Sequence, residues 1–285
     1  DMPSVPTDCG STSHASDFCY ATDHSKFVCY TTGYSIDFFD KLGHYDRVGG
    51  LEVARVGDDD RMMELKRKVA SGKAFGTRVE MISAAEAKQK FPLLEEDMIQ
   101  GAMWDPDAGL VKPRSQTVVG VLVDKAVETG KAQSFANTTA TALDIKDGRI
   151  VGVDTSRGYI AANTVIVCTG LWGRSIAEMA GEDLPVMPVD HPLSFFGPYT
   201  EFEGTGKDIG YPLLRDQGNS AYMRDTGDPK TAEGGQIEWG YYEEKEPRLV
   251  HPRDLPAKGE THWSPSQRDL ELDQIMEPLE RAMEL

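Results

Sequence analysis

The 285 residues are enough for one large domain or two of ordinary size. Hydrophobic residues make up 39% of the chain and charged residues 27%, which favours a packed core and excludes wholesale disorder. Thirty Lys and Arg against 47 Asp and Glu give a net charge of −17. This charge argues against nucleic acid or an anionic membrane as a partner, because both need clustered positive charge. No apolar run reaches the roughly 20 residues of a spanning helix, so we expect a soluble protein.

The four cysteines are too few for the disulfide framework of a secreted scaffold. They form no CxxC pair, and no histidine stands at metal-ligand spacing, so we expect no metal site. We interpret the cysteines as free thiols in a reducing compartment. The expected location is the cytoplasm, or the mitochondrial matrix in a eukaryote.

Helical periodicity and capping signals predict five helices before the last 20 residues. The first has Phe27, Tyr34 and Phe38 on one face, and the third opens with a capping box from Ser83 to Glu86. The fourth is rich in valine and should be buried on most sides. The predicted ranges are 25–42, 60–69, 84–91, 113–129 and 172–181.

Alternating and apolar runs predict strands between these helices. Residues 141–145 and 150–153 flank a Lys-Asp-Gly-Arg turn, which indicates a hairpin. Residues 164–168 are apolar on both faces, as expected for a strand covered by helices on both sides of a sheet, and they lead into Thr169 and Gly170. A strand, a glycine turn and a helix in succession can bring backbone close to a nucleotide, but an ordinary strand-to-helix turn has the same sequence pattern. The other predicted strands are 50–55, 99–104, 184–196, 211–214, 221–224 and 236–242.

The end of the chain has a helical pattern with no stop signal after it. Leu272, Ile275, Leu279 and Met283 recur at helical spacing behind a capping box at residues 266–269. We therefore expect a helix that continues further. No GxGxxG, GxxxxGK[ST], GxSxG or HExxH motif occurs, so the motifs favour no common nucleotide-binding, hydrolase or metalloprotease site.

Several segments resemble, in the same order, those of the dimethylglycine dehydrogenase and dimethylglycine oxidase family. Residues 10–15 read GSTSHA, similar to that family's GST-x-HA segment, and residues 167–172 resemble its A-A-G-x-W turn. The other similar segments are VGGLEVA at 48–54, FPLL at 91–94, WDPDAG at 104–109, PVDH at 188–191 and AYMR at 221–224. The family consists of FAD enzymes within the D-amino-acid-oxidase-like superfamily. After His14 it has a Gly-Leu pair where this chain has Asp17 and Phe18.

The resemblance implies an α/β plus α+β fold, part of a two-domain flavoprotein. Residues 1–47 and 110–181 would form a partial FAD-binding α/β domain. Residues 48–109 and 182–263 would form a substrate domain with a mixed, largely antiparallel sheet, and 264–285 a helix returning toward the FAD domain. The family's dinucleotide fingerprint lies upstream of GST-x-HA and its catalytic module continues further downstream. We therefore expect this chain to be the middle of a longer flavoprotein. On its own, the chain should bind FAD weakly or not at all.

The same resemblance assigns the residues around FAD. In the family the histidine of GST-x-HA forms a covalent bond from a ring nitrogen to the flavin's 8α-methyl carbon. His14 is therefore the expected attachment point. The predicted cofactor-binding residues are Gly10, Ser11, Thr12, His14, Ala15, Ala140, Thr169, Gly170 and Trp172.

Three further residues match family positions on the flavin's substrate face: His191, Tyr222 and Arg224. Oxidation of an amine needs a neutral nitrogen, and an imidazole and a phenol can orient the amine and shape its protonation. Arg224 lies two residues after Tyr222 in a predicted strand and so shares its face. It could pair with a substrate carboxylate near the rim of the cavity. Each of the three could equally be structural: a satisfied histidine, a sheet aromatic and a surface arginine.

The implied reaction is oxidation of an N-methylated glycine, dimethylglycine first and sarcosine second, by hydride transfer to FAD. The product would yield formaldehyde or pass a one-carbon unit to folate through a further C-terminal region. Two alternatives stay open: a substrate that is another secondary or tertiary amine acid, and a non-catalytic binding domain.

Overall fold

The computed structural model describes residues 10–206, 209–230, 234–243, 247–254 and 270–285. The chain divides into two compact units. The first unit comprises residues 1–15, 113–190 and 248–269, and the second comprises 16–112, 191–247 and 270–285. These boundaries differ from the predicted domain limits at every junction between segments. Residues 16–47 and 110–112 group with the second unit, and residues 182–190 and 248–254 group with the first. Which domain holds cofactor and which holds substrate stays a prediction.

Six helices occur in the described residues, at the positions that periodicity and capping signals predict. The side chain of Ser25 caps the first helix by accepting the N–H of Val28, and the Ser83–Glu86 capping box opens the third. The capping box predicted at residues 266–269 lies outside the described residues, and so does Cys9. The helices are α1 (Lys26–Lys41), α2 (Asp59–Phe75), α3 (Ala84–Lys90), α4 (Ser115–Glu128), α5 (Gly173–Met179) and α6 (Leu272–Met283).

The described strands form four sheets. The first unit holds a three-stranded hairpin sheet, β7 (Ala140–Lys146), β8 (Arg149–Thr155) and β9 (Gly158–Ala161), and the pair β10 (Val189–Asp190) and β15 (Arg248–Leu249). The second unit holds the small sheet β1 (Phe18–Cys19), β6 (Gly109–Val111) and β2 (Tyr45–Asp46). Its large sheet contains β3 (Gly50–Arg55), β4 (Glu80–Ile82), β5 (Ile99–Asp105), β11 (Leu193–Phe196), β12 (Leu213–Asp216), β13 (Ala221–Asp225) and β14 (Ile237–Tyr241).

The large sheet has the strand order β11-β14-β13-β12-β3-β5-β4, and only β12 and β3 pair in parallel. The predicted mixed, largely antiparallel sheet and the mixed α/β fold class are thus confirmed. One face carries Leu51, Met223 and Trp239 in a core with residues of α3 and α6. On the opposite face, Met103 and Leu213 pack with residues of α2 and with Tyr20. Tyr222 and Arg224 lie on this second face, because side chains alternate along β13.

The predicted hairpin is confirmed, and its turn follows a known preference. Asp147 and Gly148 both have positive φ, 52° and 72°, and they join β7 to β8 as a two-residue loop. Such loops match the right-handed twist of the flanking strands.

Two strand predictions are corrected by the structure. Residues 164–168 are not a strand, and Ile166 is 80% exposed. An apolar run becomes a strand only where a neighbour accepts its backbone hydrogen bonds, and no described strand pairs with this one. The strand predicted over 184–196 is two strands, β10 and β11, interrupted at His191 and Pro192. Proline has no N–H to continue a ladder.

Two helices bury few of their apolar residues, and for one of them, α4, the sequence predicts burial on most sides. In α1 the inward residues are Cys29 and Ile36, whereas Phe27 and Tyr34 are 73% and 66% exposed. In α4 only Val118 and Gly120 are buried. Among the described residues, none of the helices combines the length and apolar character needed to cross a bilayer.

Candidate functional site

The predicted cofactor segment at residues 10–15 forms a single turn of 3-10 helix in the first unit. Gly10 precedes the turn Ser11–His14 with φ 83°, a left-handed conformation that favours glycine. The Ser13 hydroxyl donates to the Gly10 carbonyl at 2.9 Å, which closes the turn. His14 ends the turn in a half-buried position, and Ala15 follows it in extended backbone.

The second predicted cofactor segment is also a 3-10 turn, Gly170–Trp172, preceded by Thr169. Gly170 has φ 52°, and a Cβ placed on it would meet nothing within 4 Å. A Cβ placed on Gly10 would lie 3.8 Å from the Trp172 ring. The two segments, about 160 residues apart in sequence, therefore lie against each other.

A cavity of about 490 Å³ opens where these two turns meet. Ser11 and Gly170 line it together with Leu171 and a largely apolar stretch. The remaining lining residues are Val186, Met187, Pro188, Val189, Asp190 and Val250. Arg248 lies 3.7 Å from the Asp190 carboxylate, so the one acid in the wall has a cation beside it.

The residues that line the cavity fit a flavin. The cavity has the size of a small-molecule site, apolar walls and few polar groups, as a planar ring system requires. Of the predicted cofactor residues, Ser11 and Gly170 line the cavity, and Gly10 and Trp172 lie against each other beside it. The cavity lining does not include Thr12, His14, Ala15 or Thr169. Ala140 lies instead at the start of β7, paired with Thr155.

Tyr222 in the second unit is held within a row of aromatic rings. Its ring centroid lies 5.3 Å from that of Phe18 and 5.4 Å from that of Tyr242. The ring lies over Gly240 on β14, where a Cβ would come within 2.0 Å of the Tyr222 Cζ atom. Burial raises the pKa of Tyr222 to about 12, while a hydrogen bond with Ser16 opposes the shift. Tyr222 is therefore a protonated phenol, and a hydrogen-bond donor, at neutral pH.

Arg224 lies deeper in the same face than the sequence predicts. Its side chain is only 6% exposed and its guanidinium forms an ion pair with Glu238 on the neighbouring strand. A second guanidinium nitrogen donates to the Asp225 carbonyl at 3.4 Å. Arg224 is thus a buried, paired arginine within the sheet, and the expected position at a cavity rim is corrected.

His191 forms a hydrogen bond with a carboxylate. Its Nδ1 lies 2.9 Å from Oε2 of Glu243, and its ring lies 4.7 Å from that of Tyr242. Because a carboxylate only accepts, this contact favours the tautomer with a proton on Nδ1, in which Nε2 is the acceptor. Tyr242 contacts both His191 and Tyr222, so the two predicted residues share one side of the sheet with Tyr242 between them.

Sequence reasoning missed the partners that fix these side chains: Phe18, Glu238, Gly240, Tyr242 and Glu243. Alternation along β14 would have placed Glu238, Gly240 and Tyr242 on one face. The pairing of β14 with β13 and β11 joins segments distant in sequence, and no local motif encodes it. In the described part of the chain, no group of three or more His, Cys, Asp or Glu could hold a metal ion, and Cys19, Cys29 and Cys168 are free thiols.

Comparison with known proteins agrees with this architecture. L-proline dehydrogenase from P. horikoshii superposes with a TM-score of 0.72 at 24% identity, over 88% of this chain and 64% of that one. Mouse mitochondrial sarcosine dehydrogenase is 29% identical over 69% of this chain and 21% of its own length. Human mitochondrial dimethylglycine dehydrogenase is 24% identical over 97% of this chain and 31% of its own length. The chain thus spans between a fifth and a third of these two relatives.

The family assignment rests on a match over nearly the whole chain. The sequence model of the DAO family, FAD dependent oxidoreductase, matches residues 7–283. This protein belongs to that family of FAD-dependent oxidoreductases.

Proposed function

We propose that this protein takes part in the FAD-dependent oxidation of an N-methylated glycine, dimethylglycine first and sarcosine second. The observation that carries the proposal is the cavity in which the GSTSHA turn meets the Thr169–Gly170 turn. FAD, when bound there, supplies the acceptor for a hydride from the carbon next to the substrate nitrogen. The similarity to sarcosine and dimethylglycine dehydrogenases supports the choice of substrate.

His191, Glu243 and Tyr222 are the candidate groups for acting on the amine. An ammonium has no lone pair to support loss of hydride, so a base must accept its extra proton. Nε2 of His191 is suited to this task, because Glu243 holds the other ring nitrogen protonated and fixes the ring. Glu243 is a positioning residue in this scheme. Tyr222 cannot be the base, since its raised pKa keeps its proton, and it would donate a hydrogen bond to the substrate instead.

The first test is whether flavin is attached through His14. In the full-length protein, we expect the colour of the flavin to stay with the acid-precipitated polypeptide, and His14→Ala to release it into the supernatant. His24→Ala is the matched control, because His24 is an exposed histidine paired with Glu64 outside the cavity. Flavin that stays with the denatured His14→Ala protein would refute the attachment site. A protein that never carries flavin would favour a non-catalytic binding domain.

The second test concerns the amine-handling residues. His191→Gln should lower kcat least at low pH, where the imidazole already carries a proton, and most at neutral to mildly alkaline pH, where an unprotonated Nε2 can accept the proton of an ammonium substrate; the acid limb of the pH–rate profile should flatten. Glu243→Gln should shift that profile without abolishing turnover, because His191 remains. Tyr222→Phe should lower turnover and leave the melting temperature nearly unchanged. Unchanged pH profiles in both the His191 and the Glu243 variants would refute the proposed base.

A further inference from the structure

Helix α1 exposes a row of aromatic side chains on the side opposite the residues that it buries, Cys29 and Ile36. The exposed rings recur at steps of three or four residues, which places them on one side of the helix. A solvated helix face ordinarily carries polar and charged side chains there instead. We call this row the aromatic stripe; its residues are Phe27, Tyr30, Tyr34 and Phe38, which are 73%, 71%, 66% and 39% exposed.

The aromatic stripe is large for the surface of a single chain. An aromatic side chain carries about 150–250 Å² of surface, so at these exposures the four rings leave on the order of 500 Å² accessible. The largest apolar patch on a typical monomer measures about 300–600 Å² and often has a function. Tyr34 and Phe38 stack on each other, with ring centroids 6.5 Å apart and planes at 9°, so this part of the surface is ordered before any partner binds.

Opposite charges lie along one edge of the aromatic stripe, at its two ends. Lys26 begins α1, and Asp37 lies about three turns further along on the same side of the helix. Both residues are exposed, and the Asp37 side chain stays 65% exposed although Arg47 lies 3.2 Å from its carboxylate. In the part of the chain that the structure describes, Lys26 has no carboxylate partner. This edge is therefore positive at one end of the stripe and negative at the other.

We propose that the aromatic stripe binds a second copy of this chain, with the two α1 helices antiparallel. A two-fold axis through the middle of the stripe lays the N-terminal half of each helix on the C-terminal half of the other. Phe27 then meets the partner's Phe38, and Tyr30 meets the partner's Tyr34. Aromatic rings at the centre of an interface supply much of its binding energy.

The same arrangement pairs the charges along the edge of the stripe. Equal edges of the two helices lie side by side in an antiparallel pair, so Lys26 meets the partner's Asp37, and the two-fold axis repeats this contact. A parallel pair would instead place Lys26 beside the partner's Lys26, where like charges repel. The rings of two copies would bury on the order of 1,000 Å², and the flanking side chains bring this close to the roughly 1,200 Å² at which specific interfaces begin.

The test measures the oligomeric state of the full-length, flavin-loaded protein by sedimentation equilibrium. We expect a dimer at micromolar concentration, and Tyr34→Ser should raise its Kd by about 30-fold or more, the cost of removing an aromatic hot spot. Val56→Ser is the matched control, because Val56 is 65% exposed but directly follows β3, outside the stripe. It should leave the Kd unchanged. An unchanged circular dichroism spectrum shows that each variant is folded.

Two charge variants test the antiparallel arrangement itself. Lys26→Glu places an acid against the partner's Asp37, and Asp37→Lys places a base against the partner's Lys26. Each variant alone should therefore dimerise about 10-fold more weakly, since two symmetric contacts change from attraction to repulsion. When the two variants are mixed, both contacts of a mixed dimer again join opposite charges. Native mass spectrometry should show this mixed dimer in excess over the dimers of either variant.

Each result supports or overturns the proposal. A wild-type protein that stays monomeric would overturn it, and a lower melting temperature in Tyr34→Ser would then show that another segment of the full-length protein covers the stripe. A dimer whose Kd is the same in Tyr34→Ser uses another surface, which also overturns the proposal. Random pairing of the two charge variants would overturn the antiparallel arrangement.

Discussion

Replacing Gly240 with alanine perturbs the candidate substrate face at one atom. The added Cβ would lie 2.0 Å from Cζ and 2.2 Å from the hydroxyl oxygen of Tyr222, far inside van der Waals contact. The Tyr222 ring cannot swing aside easily, because Phe18 and Tyr242 flank it with centroids at 5.3 and 5.4 Å. The variant must therefore displace the ring, or shift β14 away from β13.

Overpacking of this kind costs about 1–3 kcal/mol of unfolding free energy, which lowers the melting temperature by several degrees in a chain of this size. Turnover should fall further, by about 100-fold, since a displacement of about 1 Å at a reacting group has that effect. The assay combines thermal unfolding with steady-state kinetics on dimethylglycine.

Gly33→Ala is the matched control. Gly33 lies within α1, and a Cβ there would meet nothing within 4 Å. This variant should raise the unfolding free energy by about 1 kcal/mol, because alanine is the better helix former. Combining Gly240→Ala with Tyr222→Leu should recover stability relative to the sum of the single changes. If Gly240→Ala behaves like Gly33→Ala in both assays, the placement of the Tyr222 ring over Gly240 is refuted.

Three further predictions concern buried charges and protons. Lys68→Met should lower the unfolding free energy by about 3–5 kcal/mol in urea titrations, because it leaves the buried charge of Glu52 without its cation. Adding Glu52→Leu should recover most of the loss. The pKa of Tyr222 is raised to about 12, and an unfolded phenol titrates near ~10. Unfolding free energy should therefore fall as pH rises from about 10 to about 12, and Tyr222→Phe should remove part of that fall. Asp225→Ala should cost about 3 kcal/mol by thermal unfolding, since the carboxylate accepts three backbone N–H groups; no loss would contradict this arrangement.

Local signals predicted most of the secondary structure. The capping serines Ser25 and Ser83 gave the starts of α1 and α3, and the Asp147–Gly148 turn gave the β7–β8 hairpin. Residues 164–168 show where local signals fail. Their composition favours a strand, but a strand also depends on a partner that lies elsewhere in the chain.

The candidate site was predictable only in part, for the same reason. Motif resemblance selected Ser11, Gly170, His191 and Tyr222, and the structure places the first two in one cavity wall. Motif resemblance could not show that Arg224 forms an ion pair with Glu238, because that pair depends on the β13–β14 register.

Anaerobic reduction of the bound flavin by dimethylglycine tests the central claim most directly. The protein carrying its FAD is mixed with dimethylglycine without oxygen, and the absorption of the oxidised flavin is followed in time. The account predicts that this absorption is lost within a single turnover, with formation of formaldehyde, and that the loss is slowed in His191→Gln. A flavin that stays oxidised with dimethylglycine, sarcosine and other N-methylated amino acids would contradict the proposed function.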